Sequence, residues 1–238
     1  LSMSEAAEAT VAPLAHATPA MDGMPAAQRV LNELRNMIIK GDLAPGSRIV
    51  ERTLCARLNV SRTPMREALK LLEIDGLIEI SQNRGARVLA FTPDEARELF
   101  EVLASLEGLA AELAATRMTE DDAAHIARLH EAMSAHYANR SRDEYFDCNS
   151  MIHEAVIAAA RNRTLEITWA GLLRRAQRGR YMAIVSQDRW HQAMDEHEQL
   201  MAAFEARDGV RAGEVWRQHL RHTGVTIAEV MAKVASAA

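Results

Sequence analysis

Ser61-Arg62-Thr63-Pro64-Met65-Arg66-Glu67-Ala68-Leu69-Lys70 decides the fold of the first third of the chain. Met65, Ala68, Leu69 and Leu72 recur at helical spacing and form one apolar face. Thr63 offers a cap, and Pro64 suits a first turn, where no backbone donor is needed. Arg62, Arg66 and Lys70 are four apart, so they line up beside that face. A half-buried helix with arginines near its N-terminus is the geometry that reads a DNA major groove. The stripe alone also fits an ordinary surface helix with solvated charges, so the flanking residues have to decide.

Upstream, Val30, Leu31, Leu34, Met37 and Ile38 share one face of a helix expected over 25–40, stopped by Gly41. Leu43-Ala44-Pro45-Gly46 reads as a turn and Ile49-Val50 as a short strand. A second helix is expected over 51–58, and Asn59-Val60 is the tight turn into the arginine helix. Two short helices joined in this way are a helix-turn-helix signature. Downstream, Asp75-Gly76 ends the arginine helix, and strands are expected over 77–81 and 86–90. Gln82-Asn83-Arg84-Gly85 joins them as a basic-tipped wing.

The order of these pieces carries a resemblance. Gly41 to Gly46, Leu54 to Leu69, Asp75-Gly76-Leu77-Ile78 and Asn83-Arg84-Gly85-Ala86 together closely resemble the winged-helix domain of GntR-type bacterial transcription regulators. The resemblance implies a homodimer bound to a short palindromic duplex operator. It implies that Arg52, Arg62 and Arg66 contact bases or adjacent phosphates, that Ser61 and Thr63 anchor phosphates, and that Asn83, Arg84 and Gly85 form the wing tip. Arg48 and Arg57 read as phosphate contacts or solvated charges.

Composition agrees with a divided chain. The 238 residues carry a net charge of −5, few aromatics and much helix-forming residue. Residues 24 to 90 hold 11 Lys+Arg against 7 Asp+Glu, a balance of +4, which leaves −9 for the rest. A basic block joined to an acidic one places the polyanion contact in the first block. Residues 1–24, rich in Ala, Thr, Ser and Pro, read as a disordered tail. Cys55 and Cys148 are widely spaced and read as small core residues. No signal peptide and no long apolar run appears, so a cytoplasmic protein without membrane contact is expected.

From Thr92-Pro93 onward the pattern is helical throughout, with helices expected at about 93–117, 119–138, 143–161, 163–186, 189–207 and 209–235. The fold class is therefore mainly α: a winged helix-turn-helix over 25–91 and an all-α bundle over 92–238. Asn149 and His153 share one helix face, while His197 and His219 lie on later helices. A bundle interior can gather such residues around a metal. With nine histidines in the chain, spacing alone is weak evidence, and a satisfied core or surface histidine is the usual case for any one of them. His125, His130, His136, His191 and His222 read as surface or structural.

This half resembles the all-helical FCD effector domain of the FadR branch of the same regulators. The resemblance rests on Leu106-Glu107, Asn149 to His153, Ala159 to Asn162, Glu196-His197-Glu198, Ala206-Arg207-Asp208 and Trp216 to Leu220. Many such domains hold a divalent ion, zinc or nickel among them, through one Asp and three His. The histidines map onto His153, His197 and His219, and the Asp position holds Asn149. An amide oxygen can ligate but brings no charge, so metal affinity should fall and an anionic effector should be favoured. An arginine that binds effector in many members is replaced by Leu103. Arg174, Arg175 and Arg178, with Arg180, are the candidates to compensate in binding a small organic acid.

The expected function is a ligand-responsive DNA-binding repressor and not an enzyme. Two alternatives stay open from the residues. One is a metal-dependent enzyme with a DNA-docking domain, against which no general base is evident beside Asn149 and His153. The other is a regulator whose metal site has decayed at Asn149.

Overall fold

The structure is a computed structural model that describes residues 24–81 and 85–236, with side chains to Lys233. The expected tail, apart from Met24, and the wing residues Gln82, Asn83 and Arg84 lie outside the described residues.

The chain is mainly α. A winged helix-turn-helix comes first: α1 (Ala26–Lys40), β1 (Arg48–Ile49), α2 (Glu51–Arg57), α3 (Arg62–Ile74), β2 (Ile78–Ser81) and β3 (Gly85–Val88). The strands form one antiparallel sheet in the order β1-β3-β2. Leu34, Leu54, Met65, Leu72 and Ile78 fill its core, so the apolar faces of α1 and α3 do meet. Asn59 takes the left-handed conformation at φ 51°, and the Val60 N–H bonds the Cys55 carbonyl at 3.0 Å. That closed turn starts α3 at Arg62, with Ser61 as the N-terminal boundary residue. Thr63 is therefore inside the first turn and is not the cap, and Ser61 makes no capping hydrogen bond either. Pro64 is still placed where helical N–H groups have no partner to lose. The first strand is displaced by one residue from Ile49-Val50 because Ile49 turns into the core opposite Ala86. Val50 instead becomes the exposed boundary of α2.

Six helices follow: α4 (Pro93–Arg117), α5 (Glu120–Ala138), α6 (Arg142–Ala159), α7 (Arg163–Ala183), α8 (Gln187–Glu205) and α9 (Gly209–Ser236). Thr92 and Thr119 start α4 and α5 with reciprocal capping boxes to Glu95 and Asp122. The long α4 and α9 pack most intimately, because glycines let their backbones approach. A Cβ at Gly108 would sit 3.1 Å from the Gly213 carbonyl, and one at Gly224 would sit 2.7 Å from Phe100 Cβ. Phe100, Leu103, Tyr145, Ile152, Leu200 and Trp216 lie in the bundle core. Cys148 joins it, while Cys55 is half-buried at the edge of the smaller core. Ile39 of α1 packs into the bundle core, so the two parts share an apolar seam. Among the described residues no helix is long and apolar enough to cross a membrane.

Candidate functional site

The N-terminal end of α3 stands clear of the core. Ser61, Arg62, Thr63 and Arg66 are exposed there, and Arg52 of α2 is exposed beside them. Arg66 Nε lies 3.2 Å from Glu51 Oε2, which holds the guanidinium over α2. Gly85, at φ 75°, opens β3 at the base of the wing, with Arg48 beside it. Arg57 pairs with Asp42 at 3.5 Å, in keeping with its reading as a solvated charge. Asn83 and Arg84 fall outside the described residues, so their expected contacts carry no geometry.

The three arginines expected at an effector lie near the junction of the two parts. Arg174 Nε is 2.7 Å from Asp75 Oδ1, although the N–H is not aligned for a hydrogen bond. Arg175 stacks its guanidinium over Phe91, and Arg178 donates to the Leu43 carbonyl at 3.5 Å. All three make contacts at the seam between the winged helix and the bundle. Arg180, two residues further, is turned ~200° around the helix at ~100° per residue. It enters the bundle interior and is buried.

The bundle interior gathers the histidines. His153 on α6, His197 on α8 and His219 on α9 each offer one ring nitrogen, and these atoms lie within 4.8 Å of one another. Asn149, one turn before His153, places Oδ1 2.8 Å from His197 Nε2. All four side chains are buried. Trp216 forms one wall, stacked on His219 at 4.6 Å between ring centres.

Two carboxylates behind the histidines orient them. Glu107 of α4 meets His153 Nδ1 and accepts from Trp169 Nε1 at 2.9 Å. Glu196 of α8 lies 2.7 Å from His219 Nδ1, and Arg189 Nη2 approaches it at 2.9 Å. Its other oxygen lies 2.6 Å from His222 Nδ1. A carboxylate at Nδ1 fixes the tautomer and leaves Nε2 with its lone pair. His153 Nε2 is buried without a hydrogen-bond partner, as such a lone pair would be.

Burial governs the charges. It pushes His153 and His197 well below the ordinary histidine range, and neighbouring positive charges add to this. Burial also lowers His219, to about 4, against the raising effect of its hydrogen bond to Glu196. Burial alone would raise the Glu196 carboxyl, but the His219 hydrogen bond and the Arg189 guanidinium outweigh it and hold it at about 2. Glu107 is raised by burial, with Arg180 and Trp169 opposing. At neutral pH the cluster therefore offers three uncharged imidazoles and one amide oxygen. That donor set fits a borderline divalent ion such as zinc or nickel.

Glu107, Glu196 and Arg189 were not singled out from the sequence. Glu196 adjoins His197, and Glu107 lies in the Leu106-Glu107 pair, so a signal was present without a stated role. Arg189 had none.

Comparison with known proteins identifies both parts. The profile described as "FCD domain" matches residues 98–222, over half the chain, and "Bacterial regulatory proteins, gntR family" matches residues 26–88. The chain belongs to the GntR family of bacterial regulatory proteins and carries an FCD domain. This family consists of DNA-binding transcription regulators, not enzymes. The regulator is 29% identical over 197 residues to the HTH-type transcriptional repressor GlaR of Escherichia coli K12, covering 79% of this chain and 89% of GlaR. It is 32% identical to the uncharacterized HTH-type regulator YdhC of Bacillus subtilis, over 57% of this chain and 61% of YdhC. The solved structure of E. coli McbR/YncC superposes with a TM-score of 0.72 over 90% of this chain and 99% of that chain, at 19% identity. That likeness speaks for the fold.

Proposed function

We propose that this regulator is a homodimeric repressor whose operator binding responds to a small carboxylate held at a metal centre in the FCD domain. The single observation that carries the metal reading is the convergence of His153, His197 and His219, backed by carboxylates at two of the three rings. The exposed row of Arg52, Arg62 and Arg66 supports base and phosphate contact, with Ser61 and Thr63 at the helix start. Gly85 is the described part of the wing, and Asn83 and Arg84 are proposed with it from sequence. Repression is supported by the likeness to GlaR.

When bound, the ion would act as a Lewis acid that accepts a carboxylate oxygen. His153, His197, His219 and Asn149 would hold it. The protein's own part is to keep the rings neutral, oriented and dry. An effector alters DNA affinity only by binding one arrangement of the two parts better than another. The test is elemental analysis of protein purified without a histidine tag. One divalent ion per chain, absent from His153→Ala, is expected. Protein that takes up no zinc or nickel, with an unchanged melting temperature, would sink the metal reading and leave a regulator with a decayed site.

A further inference from the structure

The three histidines lie inside the bundle, and a buried site needs an opening through which its ion can arrive. A cleft of about 580 Å³ runs between α5 and α8, lined among others by Ile126, Ala127, His130, Met201, Phe204 and Glu205. His130 is half-buried in that lining. Its ring lies nearly parallel to that of His197, with 6.5 Å between centres and the planes 24° apart. His197 in turn reaches Asn149 through Nε2 at 2.8 Å. Each of the two rings keeps one buried nitrogen without a hydrogen-bond partner, Nε2 on His130 and Nδ1 on His197. Buried polar atoms without partners are rare in folded proteins because each forfeits its hydration. Two of them on adjacent rings form a step between the cleft and the histidine triplet.

A second cleft, of about 410 Å³, lies between α5 and α6, lined by Asp122, His125 and Ala158 among others. His125 is exposed, and among the described residues no ring contact joins it to the triplet. The cleft between α5 and α8 also suits a cation better. Its Arg207 is matched by Glu120 at 3.2 Å, which leaves the exposed Glu205 carboxylate to attract a hydrated ion. Imidazole is then the ligand that draws a borderline divalent ion out of its water. We infer that the cleft between α5 and α8 is the route by which the divalent ion enters the FCD domain, and that His130 relays it to His197. The inference rests on the metal reading for the ion itself. His130 Nε2 replaces one water of the incoming ion and then gives way to His197, so His130 has no place in the final ligand set. With Nε2 unpartnered, nothing holds the ring against the turn about its Cβ–Cγ bond that presents this nitrogen to either side.

The test times zinc. Metal-free regulator without a histidine tag is mixed with zinc, and zinc-loaded regulator with excess chelator, each followed by stopped flow with a chromophoric indicator. His130→Phe keeps a ring and removes its nitrogens. A residue used only in passage enters both directions alike, so this variant should slow uptake and release together by about tenfold and leave the equilibrium zinc affinity unchanged. Ala127→Trp, at an exposed position in the same cleft, should slow both rates without altering His130. Ala158→Trp, in the cleft between α5 and α6, should change neither rate. A merely structural histidine would lower the melting temperature in His130→Phe and leave both rates as they were. Unchanged rates in either of the first two variants, or slowed uptake in Ala158→Trp, would overturn the route. Lost zinc affinity in His130→Phe would make His130 a resident ligand and overturn the relay. Protein that takes up no zinc overturns the metal reading and the route with it, whereas one zinc per chain with wild-type rates in both cleft variants overturns the route alone.

Discussion

Asp75 Oδ1 lies 2.7 Å from Arg174 Nε, while Asp75 Oδ2 takes Arg35 Nη2 at 2.5 Å. The residue that closes α3 is therefore tied to a bundle helix and to α1 at once. The same α7 sends Trp169 to Glu107 and buries Arg180 in the bundle. One helix thus contacts the winged helix on one side and the bundle interior on the other. Asp75→Asn keeps the shape and removes the charge. It should lower stability by about 1–2 kcal/mol, less than a fully buried pair because both guanidinium groups reach solvent. Urea unfolding is expected to resolve an earlier transition for the winged helix. A single unshifted transition would show that Asp75 does not hold the seam.

Glu51 restrains Arg66 at 3.2 Å, so the two residues should act oppositely on DNA. Arg66→Ala is expected to lose about 1–3 kcal/mol of operator binding if the arginine grips a guanine. Glu51→Gln removes a negative charge from the same face and frees the guanidinium, so binding should tighten modestly. Fluorescence anisotropy on a duplex selected from a random pool reads both. Specific binding retained by Arg66→Ala with the fold intact would refute the assignment of α3.

Metal affinity should answer to the ligands and to the groups behind them. Asn149→Asp restores a negative charge beside His197 and should tighten zinc. Glu107→Gln leaves His153 without its carboxylate and should weaken zinc by about 10- to 100-fold. Competition against a chromophoric chelator measures both. Equal affinities across wild type and both variants would place zinc elsewhere.

Acid should destabilise the metal-free protein in a defined window. Burial lowers His219 to about 4 and holds His153 and His197 well below the ordinary histidine range. An unfolded histidine titrates near about 6.5, so below that pH the unfolded chain binds protons that the folded cluster refuses. Stability from these groups is complete above about pH 6.5 and is lost as pH falls toward about 4. Urea midpoints across that window should fall with acid, and His219→Gln should flatten the slope. An equal slope in the variant would assign the acid sensitivity to other groups.

The local code of this chain was legible without a structure. Apolar spacing in Met65, Ala68, Leu69 and Leu72 announces a half-buried helix, and Gly41 and Gly76 mark helix ends, because each feature acts within a few residues. The helix-turn-helix and the all-helical second half followed from such signals and from the order of motifs, and the histidine triplet from the resemblance to FCD domains. Boundaries slipped where a contact across the domain decides them, as when Ile49 turns inward against Ala86 and moves β1 by one residue.

What tertiary structure alone decided is which side of a helix looks where. Arg174, Arg175, Arg178 and Arg180 are equivalent as a run of basic residues. The ~100° step of the helix separates them, sending three to the winged helix and one into the bundle. Arg189 had no distinguishing neighbours in sequence, and only packing brings it to Glu196, Thr223 and the His219 carbonyl. Glu107 lies 46 residues from His153 and 62 from Trp169, so only the crossing of α4, α6 and α7 could join them. Short-range periodicity determines that such helices form. Burial and long-range juxtaposition determine which of their polar groups meet a partner.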